Sequence, residues 1–248
     1  MHRFFTERIE NEEEPVLITG SDYNHMKNVL RLREGEEVTG SDGTRSFLCR
    51  IERFLDSAAE LSIAETLPED RELPAKIILF QGLPKSDKME TVIQKAVELG
   101  ASKIVPVAMA RSVVKLDEKK AASRKARWQT IAESAAKQSG RLIVPEVGDA
   151  CSFRDAVHEA SSADLFLLPY ECETGSEATD KKLRSVKGCE SIAVMIGPEG
   201  GFEKDEVDEA VKSGAETITL GKRILRTETA GPAMLAMLVY LLEIHSES

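Results

Sequence analysis

The sequence predicts an α/β protein, a parallel sheet covered by helices and preceded by a small all-β head. Three observations carry this expectation. From residue 75 onward, short apolar runs alternate with stretches of helical spacing, the rhythm of a parallel sheet with helices on both faces. Before residue 70 the runs are short, often alternating and separated by turn residues, which suits a small β-barrel. Between the two, Leu67-Pro68-Glu69-Asp70-Arg71-Glu72-Leu73-Pro74 carries two prolines and four charges, the composition of a linker. The expected domains are therefore 1–70 and 75–248.

Within the head, strands are expected at 16–18, 37–39, 47–51 and 59–63, where apolar residues run together or alternate. Asn11, Gly20-Ser21-Asp22, Gly35 and Ser41-Asp42-Gly43 punctuate them. One helix, about 23–30, interrupts the strands, with Asp22 or Ser21 as its N-cap. In the larger part, strands are expected at 77–80, 103–107, 165–168, 192–196 and 217–220. Helices are expected at about 87–99, 123–137, 153–160, 204–213 and 229–244. In the first of these, Met89, Val92, Ile93, Ala96 and Val97 recur at helical spacing, and Asp87 with Glu90 forms a capping-box signature.

Composition excludes several classes. No apolar run approaches the roughly 20 residues of a membrane span. The opening residues lack the apolar core of a signal peptide, so a cytoplasmic protein is expected. Cys49, Cys151, Cys172 and Cys189 lie far apart, as do His2, His25, His158 and His245, so neither a zinc site nor any other metal is expected. The net charge of −10 argues mildly against a nucleic-acid partner, and residues 1–70 alone hold 8 basic against 16 acidic side chains. Any such partner must meet a focused basic patch.

In open α/β sheets, ligands bind beyond the carboxyl ends of the strands. Three such ends are unusual here: Leu168-Pro169-Tyr170, Gly197-Pro198-Glu199-Gly200-Gly201-Phe202, and Leu220-Gly221-Lys222-Arg223-Ile224-Leu225-Arg226-Thr227-Glu228-Thr229-Ala230. The glycine-proline turn read alone is also a plausible connector between strand and helix. It is neither a dinucleotide fingerprint nor a phosphate loop, because the required spacings are missing. In the third segment, helix capping by Thr227 or Thr229 does not account for Lys222, Arg223 and Arg226 beside the apolar Ile224-Leu225 pair. Apolar side chains and free backbone groups are what an adenine pocket needs, and the arginines suit phosphate or a base.

These two C-terminal segments together resemble the signature of the SPOUT-class RNA methyltransferases. More closely, the chain is similar to the ribosomal RNA small subunit methyltransferase E family. The likeness extends upstream through Leu83-Pro84-Lys85-Ser86-Asp87-Lys88-Met89-Glu90, Ile93-Gln94-Lys95-Ala96-Val97-Glu98-Leu99-Gly100, Arg111-Ser112, Arg127-Trp128, Ala136-Lys137-Gln138-Ser139-Gly140-Arg141 and His2-Arg3-Phe4-Phe5. The resemblance implies a PUA-like RNA-binding barrel over 1–70 and a trefoil-knot methyltransferase domain over 75–248. Ordinary topology rules would exclude such a knot. It also implies S-adenosylmethionine as methyl donor, N3 of one uridine of 16S ribosomal RNA as acceptor, the small ribosomal subunit as its setting, and a homodimer, with no part for DNA or membrane. A different SPOUT activity, on a ribose or a tRNA base, and a non-catalytic assembly factor are the competing readings.

By this likeness the cofactor is expected at Leu168, at Ile196, Gly197, Pro198, Glu199, Gly200 and Gly201, and at Leu220, Gly221, Ile224, Leu225, Arg226, Thr227, Thr229 and Ala230. Uridine N3 must lose a proton, which makes Glu228 the preferred base or positioning carboxylate and Arg226 the preferred cation, against a helix-start carboxylate that only holds the loop and a structural ion pair. RNA is expected at Arg3, His25, Arg31 and Arg33 in the head, and at Lys85, Lys88, Arg111 and Arg141 beyond it, although each singly also reads as a surface charge. Phe4, Phe5 and Phe202 are candidates to stack on a flipped base, against core packing. Trp128 reads as core. Two departures from the family pattern stand out. Ser86 replaces a frequent glycine, and Glu203 replaces a Ser or Thr cap worth on the order of 1 kcal/mol.

Overall fold

The short alternating runs near the N-terminus form one five-stranded sheet, in the order β1-β3-β4-β5-β2, with β1 at Arg3–Phe5, β2 at Val16–Thr19, β3 at Glu37–Ser41, β4 at Ser46–Phe54 and β5 at Ala58–Leu67. Strand β1, too short for its period to be read, pairs parallel with β3, and the remaining pairs are antiparallel. Two register shifts between β4 and β5 bend the sheet around its apolar face. That face buries Phe4, Ile18, Met26, Val38, Phe47, Ile51 and Leu61 in one core. The expected helix starts earlier and is split, α1 at Gly20–Asn24 followed by a π-turn at His25–Val29.

The computed structural model describes residues 1–68, 71–113, 118–173 and 175–245. Glu69 and Asp70 of the expected linker lie outside them. By packing, the chain divides into two units, Met1–Glu72 with Ala136–Val144, and Leu73–Ala135 with Pro145–Ser248. The return of residues 136–144 to the first unit has a clear chemical basis. Ser41 Oγ donates to the Leu142 carbonyl at 2.7 Å, which lets a strand residue with a hydroxyl be fully buried. Arg141, 3% exposed, pairs with Glu72, whose carboxylate also accepts the Leu142 N–H at 2.9 Å.

The second unit holds a parallel sheet in the order β12-β10-β11-β6-β7-β8. Its strands are β6 (Lys76–Gly82), β7 (Lys103–Ala108), the two-residue β8 (Glu146–Val147) and β9 (Cys151–Ser152, paired with β7), β10 (Leu165–Pro169), β11 (Ser191–Ile196) and β12 (Glu216–Ile218). The helices are α2 (Lys88–Glu98), α3 (Glu118–Ser139), α4 (Phe153–Ala160), α5 (Ser176–Arg184), α6 (Lys204–Lys212) and α7 (Thr227–Val239), which runs on into a π-turn at Tyr240–Ile244. Among the described residues, no helix is long and apolar enough to cross a membrane. The order β6, β7, β8 runs one way from β6, and β11, β10, β12 lie on its other side. This reversal opens a crevice beyond the carboxyl ends of β6, β11 and β10.

Local details correct two expectations. The Asp87–Glu90 capping box does not form: Asp87 makes no side-chain cap, and Glu90 instead pairs with Arg127 at 2.7 Å. The loss expected at Glu203 is offset, because Glu206 accepts the Glu203 N–H at 2.9 Å and the Ala110 N–H at 2.8 Å. The glycine preference at position 86 has a backbone cause. Ser86 has φ +56°, the left-handed region that costs a residue with a Cβ about 1–2 kcal/mol. Ser86→Gly is therefore expected to stabilise the chain. After the entropy glycine loses on folding, the gain is about 0.5–1 kcal/mol, or about 1–4 °C in Tm. Calorimetry checks this, and an unchanged or lowered midpoint would sink it.

Candidate active site

Three loops meet beyond the sheet. The first follows β11, whose apolar residues run into Gly197-Pro198-Glu199-Gly200-Gly201. The turn closes by a bond from the Gly201 N–H to the Pro198 carbonyl at 2.9 Å, with Gly201 at φ +69°. The end of β6 presses against it: a Cβ on Gly82 would lie 2.6 Å from the Pro198 nitrogen. Thr227, the first residue of α7, is buried and clamps this turn. Its hydroxyl donates to the Gly197 carbonyl at 2.7 Å and accepts from Gln81 Nε2 at 2.8 Å. Gln81 Nε2 also donates to the Gly82 carbonyl at 3.0 Å, so one buried amide ties β6, the glycine turn and α7 together. Nothing in the local sequence pattern singles out Gln81, which reads as an ordinary strand residue.

The second loop, 219–226, joins β12 to α7. Thr219 organises its start, with its N–H on Thr179 Oγ1 at 3.0 Å and its hydroxyl accepting the Gly221 N–H at 3.2 Å. The third follows β10, where the Tyr170 N–H donates to the Ile218 carbonyl at 2.9 Å. The loops form two adjoining clefts of about 320 and 100 Å³, which share Pro169, Glu171, Ile224, Leu225 and Ala230. Joined, they reach the lower end of the range that small-molecule sites occupy.

Of the residues expected at the cofactor, Ile196, Gly197, Pro198, Glu199, Gly201, Arg226 and Thr227 line the larger cleft, Leu220 and Gly221 line the smaller, and Ile224, Leu225 and Ala230 line both. Three stand apart. Leu168 is fully buried in the core behind Pro169. Thr229 is exposed on α7 and lines neither cleft. Gly200 lies under the Arg111 side chain, whose Cβ is 3.0 Å from where a Cβ at 200 would sit. Tyr170, at one of the expected strand ends, lines the smaller cleft, and Glu171 and Thr219 line the clefts without having been expected there.

The charges at the larger cleft form a chain. Lys88 Nζ lies 3.1 Å from Glu199 Oε1 and 3.2 Å from Glu228 Oε2. The Glu228 carboxyl is held below the usual carboxylate range, first by a hydrogen bond from its own backbone N–H at the start of α7, then by Lys88. Burial works to raise Glu199, but bonds from its own N–H, from Lys88 and from the Lys85 N–H hold it low as well. Hydrogen bonds from the ammonium to Glu199 and then Glu228 push Lys88 up. All three are charged at neutral pH. Burial pushes the thiols of Cys49 and Cys151 up to about 11, so neither is a nucleophile there.

The expected RNA residues separate on the same grounds. His25, Arg31 and Arg33 are exposed on the first unit, and Lys85 on the second. Arg141 is corrected to an internal ion pair, since a guanidinium 3% exposed reaches no phosphate. Arg3 is half-buried and bonds Ser46 Oγ and the Arg141 carbonyl. Lys88 belongs to the cleft. Arg111 is exposed but holds Glu203 and the Gly200 carbonyl, bracing the glycine turn. Phe4 and Phe202 are core residues, as is Trp128, although Phe202 also lines the larger cleft.

Comparison with known proteins agrees with this layout. Residues 71–239 match the family model of an RNA methyltransferase domain, and residues 18–53 that of an RNA methyltransferase PUA domain. The chain is 38% identical to ribosomal RNA small subunit methyltransferase E of Bacillus subtilis (strain 168), with 98% of each chain covered. It is 31% identical to the protein of that name from Synechocystis, covering 93% of this chain and 75% of that one. The crystal structure of ribosomal RNA small subunit methyltransferase E from Neisseria gonorrhoeae bound to S-adenosyl methionine superposes with a TM-score of 0.84 at 34% identity, covering 97% and 98% of the two chains.

Proposed function

Because the chain belongs to the ribosomal RNA small subunit methyltransferase E family, we propose that it transfers a methyl group from S-adenosylmethionine to N3 of a single uridine in 16S ribosomal RNA. The observation that carries this reading is the joined cleft at the ends of β10, β11 and β12, with its glycine turn clamped by Thr227 and Gln81. Ile196, Ile224 and Leu225 offer an apolar wall for an adenine ring, and the backbone of the two glycine-bearing loops serves its polar edge. The cofactor supplies a methyl group on a sulfonium. The displacement is in line, so the main task of this chain is placement.

Uridine N3 holds a proton at neutral pH and must lose it to attack. The hydrogen bond from its own backbone N–H and the Lys88 ammonium favour the ionised form of Glu228 and weaken it as a base, so of its two expected roles positioning suits it better. Lys88 and Arg226 line the same cleft as cations, and they stabilise the uridine anion as it forms. Glu199 and Glu228 fix the Lys88 ammonium between them. In this reading the first unit is a PUA-like head that meets RNA through His25, Arg31 and Arg33, and the second is a trefoil-knot domain that pairs with another copy. The protein works in the cytoplasm on RNA of the small subunit.

Mapping the methylated nucleotide tests the assignment. Small subunits from a strain lacking the modification, incubated with the protein and S-adenosylmethionine, are expected to gain one methyl on a uracil N3. Methyl on a ribose or in tRNA would overturn it, and binding of RNA without any transfer would favour an assembly factor.

A further inference from the structure

Two carboxylates line the larger cleft, and they differ in their electrostatic surroundings. Glu199 is satisfied by Lys88 and by the Lys85 N–H. Glu171, at the seam where the two clefts join, has no lysine, arginine or histidine nitrogen within ion-pair distance among the described residues. Arg111 acts on it electrostatically, but its guanidinium is already committed to Glu203 and the Gly200 carbonyl, and Lys222 and Arg223 line the smaller cleft without pairing with it. Glu171 is solvent-exposed, but it sits on a loop whose backbone is held. The neighbouring Tyr170 N–H is bonded to the Ile218 carbonyl, and the Glu173 N–H to the Tyr170 carbonyl, so its backbone is pinned on both sides. Its carboxylate lies against the glycine turn: a Cβ on Gly201 would meet Oε1 at 3.0 Å and Oε2 at 3.1 Å. A Cβ at 201 would make that carboxylate give by a few tenths of an ångström.

A carboxylate without a counter-ion on the wall of a ligand cleft is complementary to a cationic ligand. We propose that Glu171 takes a positive charge of the methyl donor, an inference that rests on the function given above. The donor offers two such charges, its sulfonium and its α-ammonium, and either is complementary to the carboxylate. Reading the sulfonium would let the site release spent cofactor, because S-adenosylhomocysteine has lost that charge and kept the ammonium.

Calorimetry of the full chain with both nucleosides tests this. Glu171→Gln keeps the shape and removes the charge, and an unchanged thermal midpoint confirms that the fold is kept. Affinity for S-adenosylmethionine is expected to fall about 10- to 100-fold, the scale of a hydrogen bond to a charged group. If only S-adenosylmethionine weakens, the partner is the sulfonium; if both weaken alike, it is the ammonium. Wild-type affinity of the variant for both nucleosides overturns the assignment of Glu171 and leaves the methyl-donor cleft standing. If the unaltered protein binds neither, the donor reading falls, and Glu171 with it.

Discussion

Arg141→Met is expected to cost the first unit about 1–3 kcal/mol, because it removes the buried guanidinium that pairs with the partly exposed Glu72 carboxylate. The guanidinium Nε lies 3.1 and 3.0 Å from the two Glu72 oxygens, and Arg141 is all but fully buried. Its carbonyl also accepts from Arg3, and Glu72 accepts the N–H of Leu142, so the pair pins residues 136–144 to the end of β3, where Ser41 is buried. Replacing both members separates charge from shape. In Arg141→Met with Glu72→Gln, the amide oxygen still accepts the Leu142 N–H and no lone charge remains, so part of the loss should return. Urea unfolding of the single and double variants measures both quantities. A single variant as stable as the parent, with weakened RNA binding, would instead restore Arg141 to the RNA surface that its sequence context suggested.

Arg141 also marks where sequence reasoning runs out. Strands such as β6, β10 and β11 and helices such as α4 were legible, since their apolar periods are set by the faces they bury. The capping box at Asp87 was written in the sequence but lost to a competing partner, Arg127, from a helix far along the chain. Helix α5 carries little apolar pattern, burying only Thr179 and Leu183, and β8 and β9 are two residues each, too short to have a period. The passage of residues 136–144 into the first unit depends on partners about 70 positions away, which no local window records. At the site, glycines and a proline at strand ends were readable because they answer backbone needs. Gln81 and Glu171 were not, because a strand glutamine and a loop glutamate look like any others until the clamp and the cleft are assembled.

Gly82→Ala is expected to reduce methyl transfer about 100-fold without unfolding the protein, through displacement of the turn that forms the cleft floor. The added Cβ would lie 2.6 Å from the Pro198 nitrogen, 2.7 Å from its Cδ and 2.9 Å from Met109 Sδ. The methionine can swing aside, but the proline cannot. Its carbonyl accepts the Gly201 N–H, and the preceding Gly197 carbonyl is held by Thr227. Relief must therefore come from sliding the whole turn off β6, which misplaces every group the turn offers. Overpacking should cost about 1–3 kcal/mol of stability, less than a two-unit fold needs to lose before it melts at room temperature. Gly148→Ala is the matched control, since its Cβ would find Val105 at 3.4 Å, an ordinary contact remote from the cleft. Donor affinity by calorimetry and single-turnover methylation of small subunits separate the two variants. Shortening Met109 in the Gly82→Ala chain should not rescue it, because the backbone clash remains. Full activity in Gly82→Ala would mean that the turn is free to move and that its tight seating on β6 is not what shapes the site.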